Sequence, residues 1–153
     1  MIVFEFKNNI VYYNSGVPLT DSEGKIASHS NNIFYRSNGA LVTSKSVSYN
    51  SSNIQSGYEA TASGNDPLYK NTANLPNGFT GTYGVNLAPN NDGLSLQQGS
   101  PGIDKGISLG SDFAGSINSV IRPVGSGWDI GAYEYNPGGT LTPSAPTNLR
   151  IVQ

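Results

Sequence analysis

Ten carboxylates, eight lysines and arginines and one histidine are the chain's whole stock of groups for acid–base or metal chemistry. Glycoside hydrolysis needs two carboxyl groups facing each other across a sugar, about 5 to 10 Å apart. The candidates are Glu5, Asp21, Glu23, Glu59, Asp66, Asp92, Asp104, Asp112, Asp129 and Glu134. Asp66, Asp92, Asp104 and Asp129 occur in turn-like sequence rich in proline and glycine, where a carboxylate bonds the amides of its own turn. The alternative is a cation site, with Asp104, Asp112 and Asp129 converging with carbonyl oxygens on calcium. No other cofactor is expected. A lyase instead needs a base beside a neutralised carboxylate. Lys7, Lys25 and Arg36 are the basic residues in the patterned N-terminal part, and they read as solvated surface charges. His29 has no nucleophile for company and reads as a partly buried structural group. No catalytic residue is assigned.

Composition excludes several other classes. The net charge of −2 gives no electrostatic reason to expect a nucleic acid or an anionic membrane as partner. Without cysteine there are no disulfides or thiolate metal sites, and a single histidine leaves no structural zinc. No run approaches the ~18 apolar residues of a membrane span. Met1 to Phe6 lack the basic start and long apolar run of a signal peptide, so an export signal would lie upstream.

The elements that must position these groups are strands. Only 12% of residues are charged, while 19 glycines, nine prolines and nine tyrosines suit strands broken by turns rather than long helices. Two segments repeat: FKNNIVYYNSG, Phe6 to Gly16, and HSNNIFYRSNG, His29 to Gly39, offset by 23 residues. Alternation of Ile2, Phe4 and Phe6 with Val3, Glu5 and Lys7 predicts a strand with one buried face before the Asn pair. Ile10 and Tyr12 begin another after it. Asparagine tolerates the left-handed conformation of a sharp bend, and asparagines stacked on successive layers can bond as a ladder. The alignment places Tyr12 and Tyr35 inside the core, and Tyr13 and Arg36 outside as a candidate sugar-stacking pair. Asn53-Ile54 is a third, weaker echo.

The chain divides on this pattern into rungs over 1–64, a last rung and C-terminal cap over 65–136, a linker over 137–145 and a new apolar start over 146–153. Within 1–64, the stretch from Thr43 to Gly64 reads as one irregular rung or a long loop. Asp104, Arg122, Trp128 and Asp129 are the expected structural residues of the cap, with Arg122 pairing Asp112 or Asp129 and Trp128 packing over the open end.

The order of NNI-type rungs, DPLY, DGLSLQQGSPGIDKG, then RP and WDIGAYEY resembles the C-terminal part of bacterial right-handed parallel β-helix proteins of the pectate-lyase-like, secreted kind. SPGID at Ser100 to Asp104 and DIGAYE at Asp129 to Glu134 carry most of that likeness, which runs from Phe4 to Asn136. The final residues, with Pro146, Leu149, Ile151 and Val152, resemble the first strand of a fibronectin type III domain. The resemblance implies an all-β fold: the last two to three rungs of a right-handed parallel β-helix plus an irregular cap. It implies a parent protein that is secreted or on the cell surface and binds or degrades polysaccharide, as a lyase or glycosidase. The catalytic rungs would lie upstream, and upstream rungs would cover the edge opened by Ile2, Val3, Phe4 and Phe6. The alternatives are an adhesin or display stalk, in which the helix is a spacer, and a phage tailspike-like fibre.

Overall fold

A computed structural model of the chain describes residues 4–13, 16–72, 92–118 and 120–138. The fibronectin-like start and nearly all of the linker, like Ile2 and Val3, lie outside the described residues. Seven short strands and one short helix make a mostly-β fold: β1 (Phe4–Lys7), β2 (Ile10–Tyr12), β3 (Leu19–Asp21), β4 (Ile26–Ser30), β5 (Ile33–Tyr35), β6 (Val42–Ser44), β7 (Val47–Tyr49) and α1 (Ile54–Gly57). No helix among the described residues is long and apolar enough to cross a membrane.

The strands pair across the repeat. Parallel β1·β4, β2·β5 and β3·β6 align Phe6 with His29, Ile10 with Ile33 and Leu19 with Val42, each pair 23 residues apart. One bulge, where Ala27 is the extra residue, shifts Phe4 onto Ile26. Between β1 and β2 the chain bends at Asn8 (φ +56°), and between β4 and β5 at Asn31 (φ +54°). The first asparagine of each pair therefore takes the left-handed conformation that most side chains avoid.

The second asparagine builds the ladder. Asn9 donates from its backbone N (2.9 Å) and Nδ2 (3.2 Å) to Asn32 Oδ1. Asn32 donates onward, from N to Glu59 Oε1 (2.9 Å) and from Nδ2 to Glu59 Oε2 (2.8 Å). A third layer then begins at Ser63, which bridges Ile33 in parallel. The Asn53-Ile54 echo is not its bend. Asn53 closes a turn with Asn50, and Ile54 opens α1 and buries its side chain.

Between Ser44 and Val47 the chain reverses, so β7 runs antiparallel to β6. Both turn residues, Lys45 and Ser46, have positive φ, as a tight two-residue hairpin requires. Phe34, Leu41, Val42, Ile54 and Ala62 form one buried core cluster, with Phe6, Val11 and Leu19 packed on it. Because side chains alternate along a strand, Val11 and Phe34 point into the core while Tyr12 and Tyr35 point out of it. The placement of Tyr12 and Tyr35 inside the core is thus corrected, although the two rings do pack together, with centroids 5.3 Å apart.

Residues 100–135 lie against the Asn bends. Asn31 Nδ2 donates to the Lys105 carbonyl (2.7 Å) and Asn8 Nδ2 to the Ile107 carbonyl (2.7 Å), while Ile107 N donates back to Asn8 Oδ1 (3.0 Å). Gly131, at φ +103°, donates its N–H to the Asn8 carbonyl, and a side chain there would strike Ile10.

Candidate functional site

Three places gather polar or aromatic groups. The first is the outer face of β2 and β5. Tyr12 lies between Tyr35 and Tyr69, whose ring centroids are 5.3 and 5.7 Å from its own. Burial raises the Tyr35 phenol above its ordinary value, and Asp66 adds to the rise by its charge and a hydrogen bond. Burial also pushes Tyr69 up to about 12, so both stay neutral hydrogen-bonding groups at physiological pH. Beside this column a cleft of about 400 Å³ opens between Asn9, Ile10, Tyr69, Leu96, Ile130 and Tyr133. Tyr13, 49% exposed, sits just past β2, with its amide on the Tyr35 carbonyl (3.0 Å). Arg36 occupies the equivalent place after β5 and folds its guanidinium toward Gly39, with Nε buried and without a hydrogen-bond partner. Among the described residues the guanidinium that lies over a ring is Arg122's over Trp128, not Arg36's over Tyr13.

The second place is the end of the ladder. Glu59 is 3% exposed, and its carboxylate meets Asn32 N–H, Asn32 Nδ2 and His29 Nδ1 (3.3 Å). His29 stacks flat on Tyr58, with centroids 4.2 Å apart and planes 3° apart. Burial first, then the charges of Asp21 and Glu59, push the Tyr58 phenol up to about 12. Glu59 stands among the candidate carboxylates of the sequence, with no structural role assigned to it. The layer offset stretches from 23 residues to 27 between Asn32 and Glu59, so no repeat pointed to it.

The third place is the cap. Asp104 Oδ1 accepts the amides of Ser126 (2.8 Å) and Gly127 (2.9 Å). Asp129 accepts those of Asp104 (2.8 Å) and Tyr135, and Glu134 those of Val124 (2.8 Å) and Asp129 (3.1 Å). Arg122 donates to the carbonyls of Asp129, Gly131 and Tyr133, and its Nε lies 3.6 Å from Glu134 Oε2. Its ionic partner is therefore Glu134, in place of the expected Asp112 or Asp129 carboxylate. Burial pulls the Arg122 guanidinium down from its ordinary value, while Glu134 and Asp129 pull it back up. Trp128 is buried, its guanidinium neighbour 5.6 Å from the ring centre, and it pairs with Gly106 as an isolated bridge. Asp112 is exposed beside Ser111, and no three acidic or histidine side chains among the described residues come together to hold a metal.

Burial raises the Asp129 carboxyl above its ordinary 3.8, outweighing the two backbone amides that favour its charged form. The folded state then holds this proton more tightly than the unfolded chain does. Asp129's contribution to stability is full below the ordinary carboxylate range and is lost as pH rises through the folded value. Asparagine at 129 does not titrate. The stability of the natural chain minus that of Asp129→Asn should therefore shrink as urea melts move from pH 3 to pH 6. A difference that stays flat or grows would contradict the shift.

Comparison with protein-family models, with curated proteins and with solved structures returned no match.

Proposed function

We propose that the chain is the C-terminal end of a right-handed parallel β-helix: two full rungs, a partial third layer and a cap of irregular structure. In this reading it serves a secreted or surface-displayed protein that binds or degrades polysaccharide, as a non-catalytic end piece. The observation that carries the architecture is the single 23-residue offset shared by three parallel strand pairs. An offset repeated across three separate sheets is what stacked coils require, and separate hairpins have no reason to share it.

The non-catalytic part rests on what the buried acids do. Glu59, Asp129 and Glu134 all spend their oxygens on amide donors of the fold, which leaves none poised across an open groove from a second carboxyl. The carbohydrate part rests on the family likeness and on the outward tyrosines. Tyr69 and Tyr133 line the cleft, and Tyr12 and Tyr35 pack in a column with Tyr69, an aromatic surface on which a sugar's apolar face can stack while its hydroxyls find partners.

A glycan array probed with the full chain, alongside absorbance of unsaturated product on uronate polymers, tests both parts. The expected result is binding without turnover, weakened at least tenfold by Tyr12→Ala and by Tyr13→Ala or Arg36→Ala if the sugar extends past β2. Turnover would overthrow the non-catalytic reading. A folded sample that binds no glycan would leave the stalk as the reading, and a trimer by light scattering would favour a tailspike-like fibre.

A further inference from the structure

The side-chain oxygens of Asn32 and Glu59 each accept from the layer before, while Asn32 Nδ2 also donates back to the Phe6 carbonyl (2.7 Å). The bonds to side-chain oxygens therefore pass from Asn9 to Asn32 and from Asn32 to Glu59. Glu59 can end such a series because a carboxylate only accepts. The opposite end is unfinished. No described residue donates to Asn9 Oδ1, the atom equivalent to the Asn32 Oδ1 that receives two bonds. Ile33 N–H donates to the Asn9 carbonyl (2.8 Å), and the equivalent Ile10 N–H faces the edge where no strand among the described residues is paired. Phe4, 52% exposed, lies on the same edge.

The cap adds a third feature. Its extended segment crosses the layers two residues at a time: Lys105 meets the bend at Asn31, and Ile107 meets the bend at Asn8. The next position in that series is Leu109, whose backbone bonds to nothing among the described residues. Leu109, Phe113 and Ile117, with Lys7 and Asn8, line an open groove of about 300 Å³ beside this corner, and their apolar side chains are exposed.

We infer, on the stacked reading above, that the β1–β2 edge is a docking site for one extended polypeptide segment. The segment carries an Asn-Asn bend followed by a branched aliphatic residue and adds in parallel. Its second asparagine donates to Asn9 Oδ1, its backbone accepts from Ile10 N–H, and its first asparagine bonds the backbone of Leu109. The occupant is such a segment and not a second folded copy. Both Asn-Asn bends of a copy are already engaged by its own cap, and pairing two β1–β2 edges would set acceptor Asn9 Oδ1 against acceptor Asn9 Oδ1.

A fluorescently labelled peptide FEFKNNIVYY, copying residues 4–13, is titrated into the full chain by anisotropy. The expected result is saturable binding, at least tenfold weaker for a peptide with alanine at both asparagines. Hydrogen exchange at the Ile10 amide should slow on binding, while the already bonded Ile33 amide stays unchanged. Equal binding by the alanine peptide, or slowing that spares Ile10, overturns the inference. Absent binding with a protected Ile33 amide overturns the docking site and leaves the stacking intact. An unprotected Ile33 amide overturns the stacking itself, and the docking site with it. Dimerisation of the chain alone that protects Ile10 overturns the choice of a segment over a second copy.

Discussion

Glu59→Ala is expected to remove about 3 kcal/mol of folding stability, because it strips two buried Asn32 donors of their acceptor at roughly 1–3 kcal/mol each. The relief of no longer burying a carboxylate offsets part of that loss. Against a typical total of about 5–15 kcal/mol this is a large fraction. Glu59→Gln keeps one accepting oxygen but turns its NH₂ toward another donor, and should lose about half as much. Urea melts at pH 7 give the result directly: a lower midpoint with an unchanged slope. The cycle with Asn32→Ala adds the decisive comparison. Once the Nδ2 donor is gone, loss of Glu59 should matter less, leaving a coupling of about 1 kcal/mol or more. A Glu59→Ala chain within about 0.5 kcal/mol of the natural one, the ordinary range for a surface change, would remove Glu59 as terminator of the ladder.

How much of this was legible in the sequence depends on distance along the chain. The repeat announced the pairing of β1 with β4 and β2 with β5, because residues that stack must resemble each other at a fixed interval. Which face each side was buried on was harder. Along one unbroken strand, Phe6, Ile10 and Tyr12 would share a face; the bend at left-handed Asn8 resets that parity, so Phe6 and Val11 point inward instead. The hairpin between β6 and β7 carries Lys45-Ser46 where Asn-Gly would have signalled it. The cap's grip on the bends joins residues 74 and 99 positions apart, and no local pattern reports contacts at that range. Asp104 and Asp129 were readable as turn anchors from their glycine-rich settings. Glu134 was not, because its partners at Val124 and Arg122 lie on a separate turn.

Arg122 should carry the second large effect, and Trp128 makes it visible. The guanidinium closes the cap by bonding three carbonyls, facing Glu134 and covering the indole ring. Truncation to alanine leaves Glu134 buried and without its cation, a change that typically costs about 3–5 kcal/mol. Lysine is not a substitute. A single ammonium cannot span the carbonyls of Asp129, Gly131 and Tyr133 from one plane, so Arg122→Lys should lose more than half of the same stability. Trp128 is the chain's one tryptophan, so its emission reports on this corner alone. In Arg122→Ala it should shift to the red as water reaches the ring, at denaturant concentrations where the far-ultraviolet signal of the rungs is still native. Glu134→Gln placed on top of Arg122→Ala should recover part of the loss, because the stranded charge goes while one accepting oxygen stays for Val124 or Asp129. An Arg122→Ala chain with unshifted emission and a melt within about 0.5 kcal/mol of the natural one would show that the hydrogen bonds of Asp104, Asp129 and Glu134 to backbone amides hold the cap without it.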